Sequence, residues 1–273
     1  MNHINAKKKW YQKLLFFSDW SLFEKTLLLV IVWGITIFYV LALVKPESWS
    51  SLKFLNGKSS LYDKPEYRIT LDTVTSFAGI VNITCLLYTS KKRIASFFFG
   101  IAAVSLLGVV AIIQGNVGTW VLSLCIELPM NIAGVFMWRR ASTDKTSIAP
   151  RRLNWWLRLI IFVVIAGLVA GAFFVFKNEN FRKHWYVNPD EHKDWYYVLP
   201  DAGLLIIGTA AMTLTLFRFK EIWYLWLIVD STFVLLNILQ HNWALVFSWT
   251  GGLICSIYGL LTWKAAKAVS LKK

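Results

Sequence analysis

Eight long segments of mostly apolar residues follow one another along this chain of 273 residues. A helix that crosses a lipid bilayer needs roughly 20 such residues, and each segment comes close to that length. The segments are residues 27–44, 72–89, 94–113, 118–138, 156–176, 201–217, 222–239 and 243–263. The sixth is short, but residues 195–200 can extend it. The sequence therefore predicts an all-α integral membrane protein with eight transmembrane helices.

The composition also favours a membrane protein over a soluble one. Hydrophobic residues make up 57% of the chain and aromatic residues 16%, whereas soluble domains usually contain about 45–50% apolar residues. The net charge of +14 would indicate nucleic-acid binding in a soluble protein. In a membrane protein it more often reflects basic cytoplasmic loops. We therefore expect a lipid bilayer as the surroundings and no nucleic-acid partner.

The distribution of basic residues predicts the orientation of the chain. Eight spans divide the loops between two sides, and one side carries 20 of the 29 Lys and Arg residues while the other carries 9. Cytoplasmic loops hold an excess of Lys and Arg, so both termini are predicted to be cytoplasmic. The first span lacks a clear cleavage site after its apolar core, and we interpret it as a retained helix rather than a signal peptide.

Four landmarks recur in the same order in two parts of the chain. They are an Asp that opens a span, a basic turn, a Gln-x-Asn after the next span, and a Gly-x-x-x-Trp followed by a cation. They occur at Asp72, 91–93, 114–116 and Gly134, and again at Asp201, 218–221, 240–242 and Gly259. The matching positions are offset by 125 to 129 residues, which indicates a duplicated unit of three helices. The alternative is that all spans share polar ends and aromatic belts.

The duplication predicts how the chain is organised. One extra span lies between the two units, so the second unit begins on the same side of the membrane as the first and the duplication is parallel. The predicted regions are an N-terminal helix with an outer loop (1–71), a first repeat (72–140), a linker helix with an outer loop (141–200) and a second repeat with the tail (201–273). The fold is thus one N-terminal helix plus a 3+1+3 bundle, and transporters often hold their substrate between such halves.

Two spans carry a carboxylate on a stripe that also holds amides and tryptophans, judged at 100° per residue. The stripes contain Trp223, Trp226, Asp230 and Asn237 in one span, and Trp120, Glu127 and Asn131 in the other. A charge at the bilayer centre costs about 2.5–3.5 kcal/mol and nearly always faces the bundle interior or a water-filled cavity. We therefore expect these residues to line a substrate chamber. Hydrogen bonding between helices remains an alternative for the carboxylates, and an interfacial belt position remains one for Trp120 and Trp223.

Two further polar residues are candidates for the same chamber. Asn82 lies on a polar side of its span and could contact a ligand. Gln114 lies at the outer end of its span, where it could contact a polar solute or cap the helix.

The sequence gives little support for catalysis or for a cofactor. The three cysteines lie in apolar runs without metal-ligand spacing, and none of the four histidines lies mid-span. The chain has no HExxH motif and no glycine-rich phosphate loop with a Walker lysine. We therefore expect no enzyme activity, no metal and no cofactor.

Two longer motifs and a shorter one resemble those of a known family. They are Pro129-Met130-Asn131-x-x-Gly134-x-x-x-Trp138, Arg218-x-x-Glu221-x-Trp223-x-x-Trp226-x-x-x-Asp230 and the closing Tyr258-Gly259-x-x-x-Trp263-Lys264. With these motifs, residues 72–265 resemble the PnuC-type bacterial vitamin B3 transporters. Residues 1–71 carry no motif that matches.

The resemblance implies a fold similar to that of the sugar-carrying SWEET transporters, and a homotrimer. It also implies import of nicotinamide riboside across the bacterial inner membrane by facilitated diffusion. A cytoplasmic kinase would then trap the riboside by phosphorylation.

The candidate residues suit such a ligand on chemical grounds. Tryptophan faces attract cations and stack on flat rings, while amides pair with carboxamides and sugar hydroxyls. A phosphorylated ligand would need Arg or Lys in the chamber, and the sequence has none mid-span, which argues against the mononucleotide. Transport of another nucleoside, a thiamin-like vitamin or a sugar remains an alternative, and so does a non-transporting membrane sensor or enzyme.

Overall fold

The structure is a computed structural model that describes residues 20–44, 65–114, 116–142, 148–186, 194–239 and 243–265. These residues form nine helices. They are α1 (Leu22–Val44), α2 (Pro65–Ser90), α3 (Ala95–Gln114), α4 (Val117–Ala141), α5 (Trp155–Lys177), α6 (Glu179–Trp185), α7 (Trp195–Leu216), α8 (Ile222–Leu239) and α9 (Trp243–Ala265). Apart from the short α6, all are long and apolar enough to cross a membrane. The predicted all-α fold with eight spans is confirmed for this part of the chain.

We describe six of the long helices as two sets of three consecutive helices, α2–α4 (the first group) and α7–α9 (the second group). In the first group α3 packs against α2 and α4, and in the second group α8 packs against α7 and α9. The groups meet along two seams, one between α2 and α9 and one between α4 and α7. Helix α1 packs against α2 and α9, whereas α5 packs mainly against α7.

Two turns with the same backbone geometry define one end of the bundle, which we call the turn end (residues 91–94 and 217–221). In the first turn, the amides of Lys92 and Arg93 donate to the carbonyls of Thr89 and Tyr88 at 2.8 and 3.0 Å. In the second turn, the amides and carbonyls at the positions 126 residues later form the same two hydrogen bonds, at 2.9 and 3.0 Å. Lys92 and its counterpart Arg218 both have positive φ angles, of 61° and 65°, which is the left-handed conformation that commonly ends a helix.

Two buried tryptophans join the groups near the turn end. The indole of Trp138 in α4 donates to the carbonyl of Thr215 in α7 at 3.1 Å. The indole of Trp263 in α9 donates to the carbonyls of Thr89 and Ser90 in α2 at 3.2 and 3.0 Å. Each seam is therefore fixed by a side-chain to backbone hydrogen bond from the last helix of one group to the first helix of the other.

The chain segment between the groups also contacts both turns. The amide of Ile148 donates to the carbonyl of Lys92 at 3.1 Å, and the amide of Arg151 donates to the carbonyl of Arg218 at 2.7 Å. Arg151 also pairs with Phe219 in an isolated β-bridge. This segment therefore holds the two groups together at the turn end.

A carboxylate fixes the opposite end of the α4–α7 seam. Asp201 in α7 accepts hydrogen bonds from the amides of Gly118 and Thr119 at the start of α4, at 2.8 and 2.9 Å. It also accepts one from the hydroxyl of Tyr186, just after α6, at 3.1 Å. Burial and the carboxylate of Asp201 raise the pKa of Tyr186, so this hydroxyl remains a donor at neutral pH. The four unpaired amides at a helix start require such acceptors.

Candidate functional site

A cavity lies between the two helix groups and receives side chains from all six of their helices. Its volume is about 80 Å³, counted as the space open to the centres of water molecules. One water occupies roughly 10–15 Å³ on that measure, so the cavity has room for a small polar molecule. The polar lining residues are Asn82, Thr89, Ser96, Asn116, Thr119, Ser123, Glu127, Asn131, Thr215, Asp230 and Asn237.

Six of the nine predicted site residues line this cavity. They are Asn82, Glu127, Asn131, Trp226, Asp230 and Asn237. The side chain of the seventh, Gln114, lies outside the part of the chain that the structure describes. The structure places the other two, Trp120 and Trp223, away from the cavity lining.

Trp120 lies beside Trp185 of α6, with a distance of 6.4 Å between the ring centroids. Trp120 is separated from Glu127 and Asn131 because the backbone of Val121–Glu127 forms a π-helix. A π-helix turns less per residue than an α-helix, so a wheel drawn at 100° per residue misplaces Trp120. Pro129 accounts for the wide turn, since its ring would clash with the carbonyl four residues earlier in a regular α-helix.

Trp223 lies near the turn end, beyond the cavity. It is fully buried, and its ring packs edge-on against Trp263 with 5.7 Å between centroids. A side chain at Gly259 would overlap the Trp223 ring. The first tryptophan of the Trp-x-x-Trp pair therefore packs between helices, while the second, Trp226, lines the cavity.

The cavity carries two carboxylates and no basic side chain among the described lining residues. Asp230 is fully buried, and Glu127 nearly so. The hydroxyl of Ser256 in α9 donates to Asp230 Oδ2 at 2.5 Å. The lining therefore favours a positively charged or neutral occupant over an anion.

Four buried polar atoms of lining residues have no hydrogen-bond partner among the residues that the structure describes. They are Asn82 Nδ2, Asp230 Oδ1, Asn237 Oδ1 and Trp249 Nε1. A buried polar atom without a partner costs about 1–3 kcal/mol, so such atoms indicate water or a ligand. Two of the four donate and two accept, which suits a ligand with both kinds of group.

Internal hydrogen bonds fix the orientation of several lining side chains. The amide nitrogens of Asn131 and Asn237 each donate at 2.8 Å to the carbonyl four residues earlier. The amide oxygens then become the acceptors available to other groups. The indole of Trp226 donates to the hydroxyl of Thr215 at 3.3 Å, which holds the ring in one position.

Sequence reasoning missed the contribution of α9. Trp249 lines the cavity and stacks on Phe233 of α8, with 4.0 Å between ring centroids and 8° between planes. A signal was present, because Ser248, Gly252 and Ser256 recur at intervals of four residues within an apolar span. This spacing places small and polar residues on one helix face.

Two further pockets flank α5 and have a different character. Their volumes are about 760 and 560 Å³, and their linings are almost entirely apolar. The ion pair between Arg158 and Glu221, with 2.8 Å between N and O, lies at one end of the larger pocket. Both pockets suit lipid chains better than a polar ligand.

Comparisons with known proteins agree with the membrane fold. A family model described as nicotinamide mononucleotide transporter matches residues 72–265. A curated nicotinamide riboside transporter PnuC from Neisseria mucosa is 22% identical over 93% of this chain and 85% of its own length. One from Haemophilus influenzae is 24% identical over 68% of this chain and 76% of its own length.

A solved structure has the same fold. The crystal structure of the vitamin B3 transporter PnuC matches with a TM-score of 0.65 and 20% identity, and the match covers 94% of this chain and 96% of that one. The family resemblance predicted from the motifs is confirmed, since the matched range includes both helix groups around the cavity. The chain is therefore a multi-pass membrane protein that belongs to the nicotinamide mononucleotide transporter family.

Proposed function

We propose that this protein imports nicotinamide riboside across the inner membrane of a bacterium, through the cavity between its two helix groups. The observation that carries the proposal is the lining itself, with two carboxylates, unpartnered donors and acceptors, and no described basic residue. Nicotinamide riboside has a positively charged flat ring, a carboxamide and a ribose with free hydroxyls. The curated relatives are named as transporters of this compound.

The lining favours the riboside over the mononucleotide that the family description names. A phosphate group is recognised by Arg or Lys side chains, or by a row of backbone amides. The described lining residues include neither Arg nor Lys. A phosphate dianion would also be repelled by Asp230 and Glu127 inside a site of low dielectric.

The aromatic and amide side chains suit the remaining parts of the ligand. The ring of Trp226 can stack on the pyridinium ring, a contact worth about 0.5–2 kcal/mol depending on desolvation. The free oxygen of Asn237 and the free nitrogen of Asn82 can pair with the carboxamide or with ribose hydroxyls.

We also propose that the two helix groups are copies of one unit, at residues 72–140 and 201–273, in a parallel 3+1+3 arrangement. The hydrogen bonds at equivalent positions of the two turns, 126 residues apart, support this. So do the matching packing pairs, since a side chain at Gly134 would overlap Phe97 and one at Gly259 would overlap Trp223. Residues 1–71 then contain the extra helix, and residues 141–200 contain the linker helix.

The mode of transport that we propose is facilitated diffusion, with both termini in the cytoplasm and with trapping of the riboside by phosphorylation there. The absence of a nucleotide-binding motif from the sequence supports passive movement, and the basic loops support the orientation. A homotrimer is the assembly that the family resemblance implies.

Uptake into liposomes that contain only this protein tests the proposal. We expect saturable entry of labelled nicotinamide riboside until the inner and outer concentrations are equal, and no entry of the mononucleotide. Trp226→Ala should weaken riboside binding, whereas Trp33→Ala, at an exposed position on α1, should not. Entry of thiamin or of the mononucleotide without entry of the riboside would overturn the assignment, and binding without any entry would indicate a sensor.

A further inference from the structure

The carboxylate of Asp230 is bonded on one side and free on the other. Its Oδ2 accepts the hydrogen bond from Ser256 at 2.5 Å, while its Oδ1 has no partner in the described part of the chain. The residue is fully buried and lines the cavity. A carboxylate that only joins two helices would normally have both oxygens satisfied, because an unpaired buried charge is costly.

Helix α9 provides the space that this carboxylate needs. A Cβ at Gly252 would lie 3.1 Å from Asp230 Oδ1 and 3.2 Å from its Cγ. These distances are close to the limit for non-bonded atoms, so a larger residue would push the carboxylate away. Gly252 and Ser256 lie one helical turn apart. Gly252 leaves space beside Asp230, and Ser256 donates the hydrogen bond that orients it.

The ring-binding side chain lies next to this carboxylate. Trp226 and Asp230 are four residues apart in α8 and therefore lie on one helix face, and both line the cavity. A flat cation stacked on the Trp226 indole would then have the free oxygen of Asp230 at its side. Two attractions would act on the same charge, one from the indole face and one from the carboxylate.

The first helix group does not repeat this arrangement. The position 126 residues before Asp230 is Val104, and the position 125 residues before Gly252 is Glu127. The second carboxylate of the cavity therefore lies on the last helix of its group, rather than on the middle helix. No tryptophan is among the described lining residues from that group, and the counterpart of Trp226 is Gly100.

We propose that Asp230, oriented by Ser256, is the counter-ion of the substrate ring and makes the site selective for the positively charged nicotinamide ring over its uncharged dihydro form. This inference rests on the proposed function. The two ligands share the carboxamide and the ribose, and differ in ring charge and in ring planarity. Asp230 is thus a specificity-determining residue, and Ser256 is a positioning residue.

Calorimetric binding of the oxidised and the reduced riboside to the purified full chain tests the inference. We expect the wild type to bind the oxidised form more tightly. Asp230→Asn should weaken binding of the oxidised form about tenfold or more, which corresponds to about 1.4 kcal/mol, and change binding of the reduced form by less than about threefold. Equal losses for both ligands, or no loss for either, would overturn the inference.

Ser256 provides an independent variant in case Asp230→Asn does not fold. Ser256→Ala should reduce the preference for the oxidised form, and Ser256→Thr, which keeps a hydroxyl, should restore it. Ser231→Ala is the control, since that hydroxyl is exposed and donates to the carbonyl of Leu227 in its own helix. An unchanged preference in Ser256→Ala would contradict the positioning role. If the wild type binds neither form, the proposed function is overturned, and this inference with it.

Discussion

The attachment of α1 depends on one buried carboxylate, which makes it a sensitive point for mutation. Glu24, in the first turn of α1, is fully buried. It forms an ion pair with Lys91, in the turn between α2 and α3, with 2.8 Å between N and O. It also accepts hydrogen bonds from the hydroxyl of Tyr258 in α9 at 2.9 Å and from the amide of Ser21 at 2.6 Å. Glu24 thus joins α1 to both helix groups and completes the capping box of its own helix.

We predict that Glu24→Ala destabilises the protein by about 4 kcal/mol. Removing one partner of a buried ion pair costs about 3–5 kcal/mol, and the lower end applies because Lys91 retains 18% exposure. Loss of the capping interaction adds about 1 kcal/mol. At about 2–4 °C per kcal/mol for chains approaching this size, the apparent melting temperature should fall by about 10 °C.

Melting followed by tryptophan fluorescence in detergent measures this effect, since the chain has 15 tryptophans. Glu179→Ala is a matched control, because Glu179 pairs with Lys183 on the exposed surface of α6. Exposed pairs of this spacing contribute only about 0.3–0.5 kcal/mol, so the control should melt within about 2 °C of the wild type. Equal shifts for the two variants would refute the role given to Glu24.

Three further predictions concern the cavity, the helix contacts and the end opposite the turns. Asn131→Ala should lower the affinity for nicotinamide riboside, measured by calorimetry, without unfolding the protein, as checked by fluorescence. Unchanged affinity would remove Asn131 from the site. Gly134→Ala should destabilise by about 1–3 kcal/mol through overpacking against the Phe97 ring. Gly167→Ala, whose added Cβ would lie within 4 Å of no neighbouring atom in the described part of the chain, should be neutral or stabilising in the same melting assay. Equal melting shifts for the Gly134 and Gly167 variants would contradict the packing role of Gly134. Asp201→Ala should destabilise by about 2–4 kcal/mol because it leaves the Gly118 and Thr119 amides without their acceptor, and melting within 2 °C of the wild type would contradict that.

The fold was accessible from the sequence because bilayer thickness sets the length of a span. The predicted segments 72–89 and 94–113 differ from α2 and α3 mainly at their ends. The extension of the sixth span to residue 195 agrees with the start of α7 at Trp195. These features follow from hydrophobicity along the chain and need no knowledge of contacts between helices.

The site was less accessible because it depends on contacts between helices and on local helix geometry. A regular helical wheel placed Trp226 and Asp230 on one face, and the structure has both in the cavity lining. The same wheel misplaced Trp120, because the π-helical segment of α4 changes the rotation. The wheel gives no indication of Ser256, because its importance comes from a hydrogen bond to a residue 26 positions away.

The docking of α1 shows the same limit more strongly. Glu24 and Tyr258 are separated by 234 residues, and the sequence has no local sign that they meet. The Ser21-x-x-Glu24 spacing did carry a signal for a helix start, but that signal concerns only the helix itself. A buried carboxylate and its distant partners become visible only once the helices are packed.

A structure of the protein with nicotinamide riboside bound tests the central claim most directly. The account predicts that the nicotinamide ring stacks on Trp226 beside the free oxygen of Asp230, and that the carboxamide or ribose contacts Asn82 or Asn237. A ligand bound in the apolar pockets beside α5, or in the cavity with its ring away from Trp226 and Asp230, would contradict it.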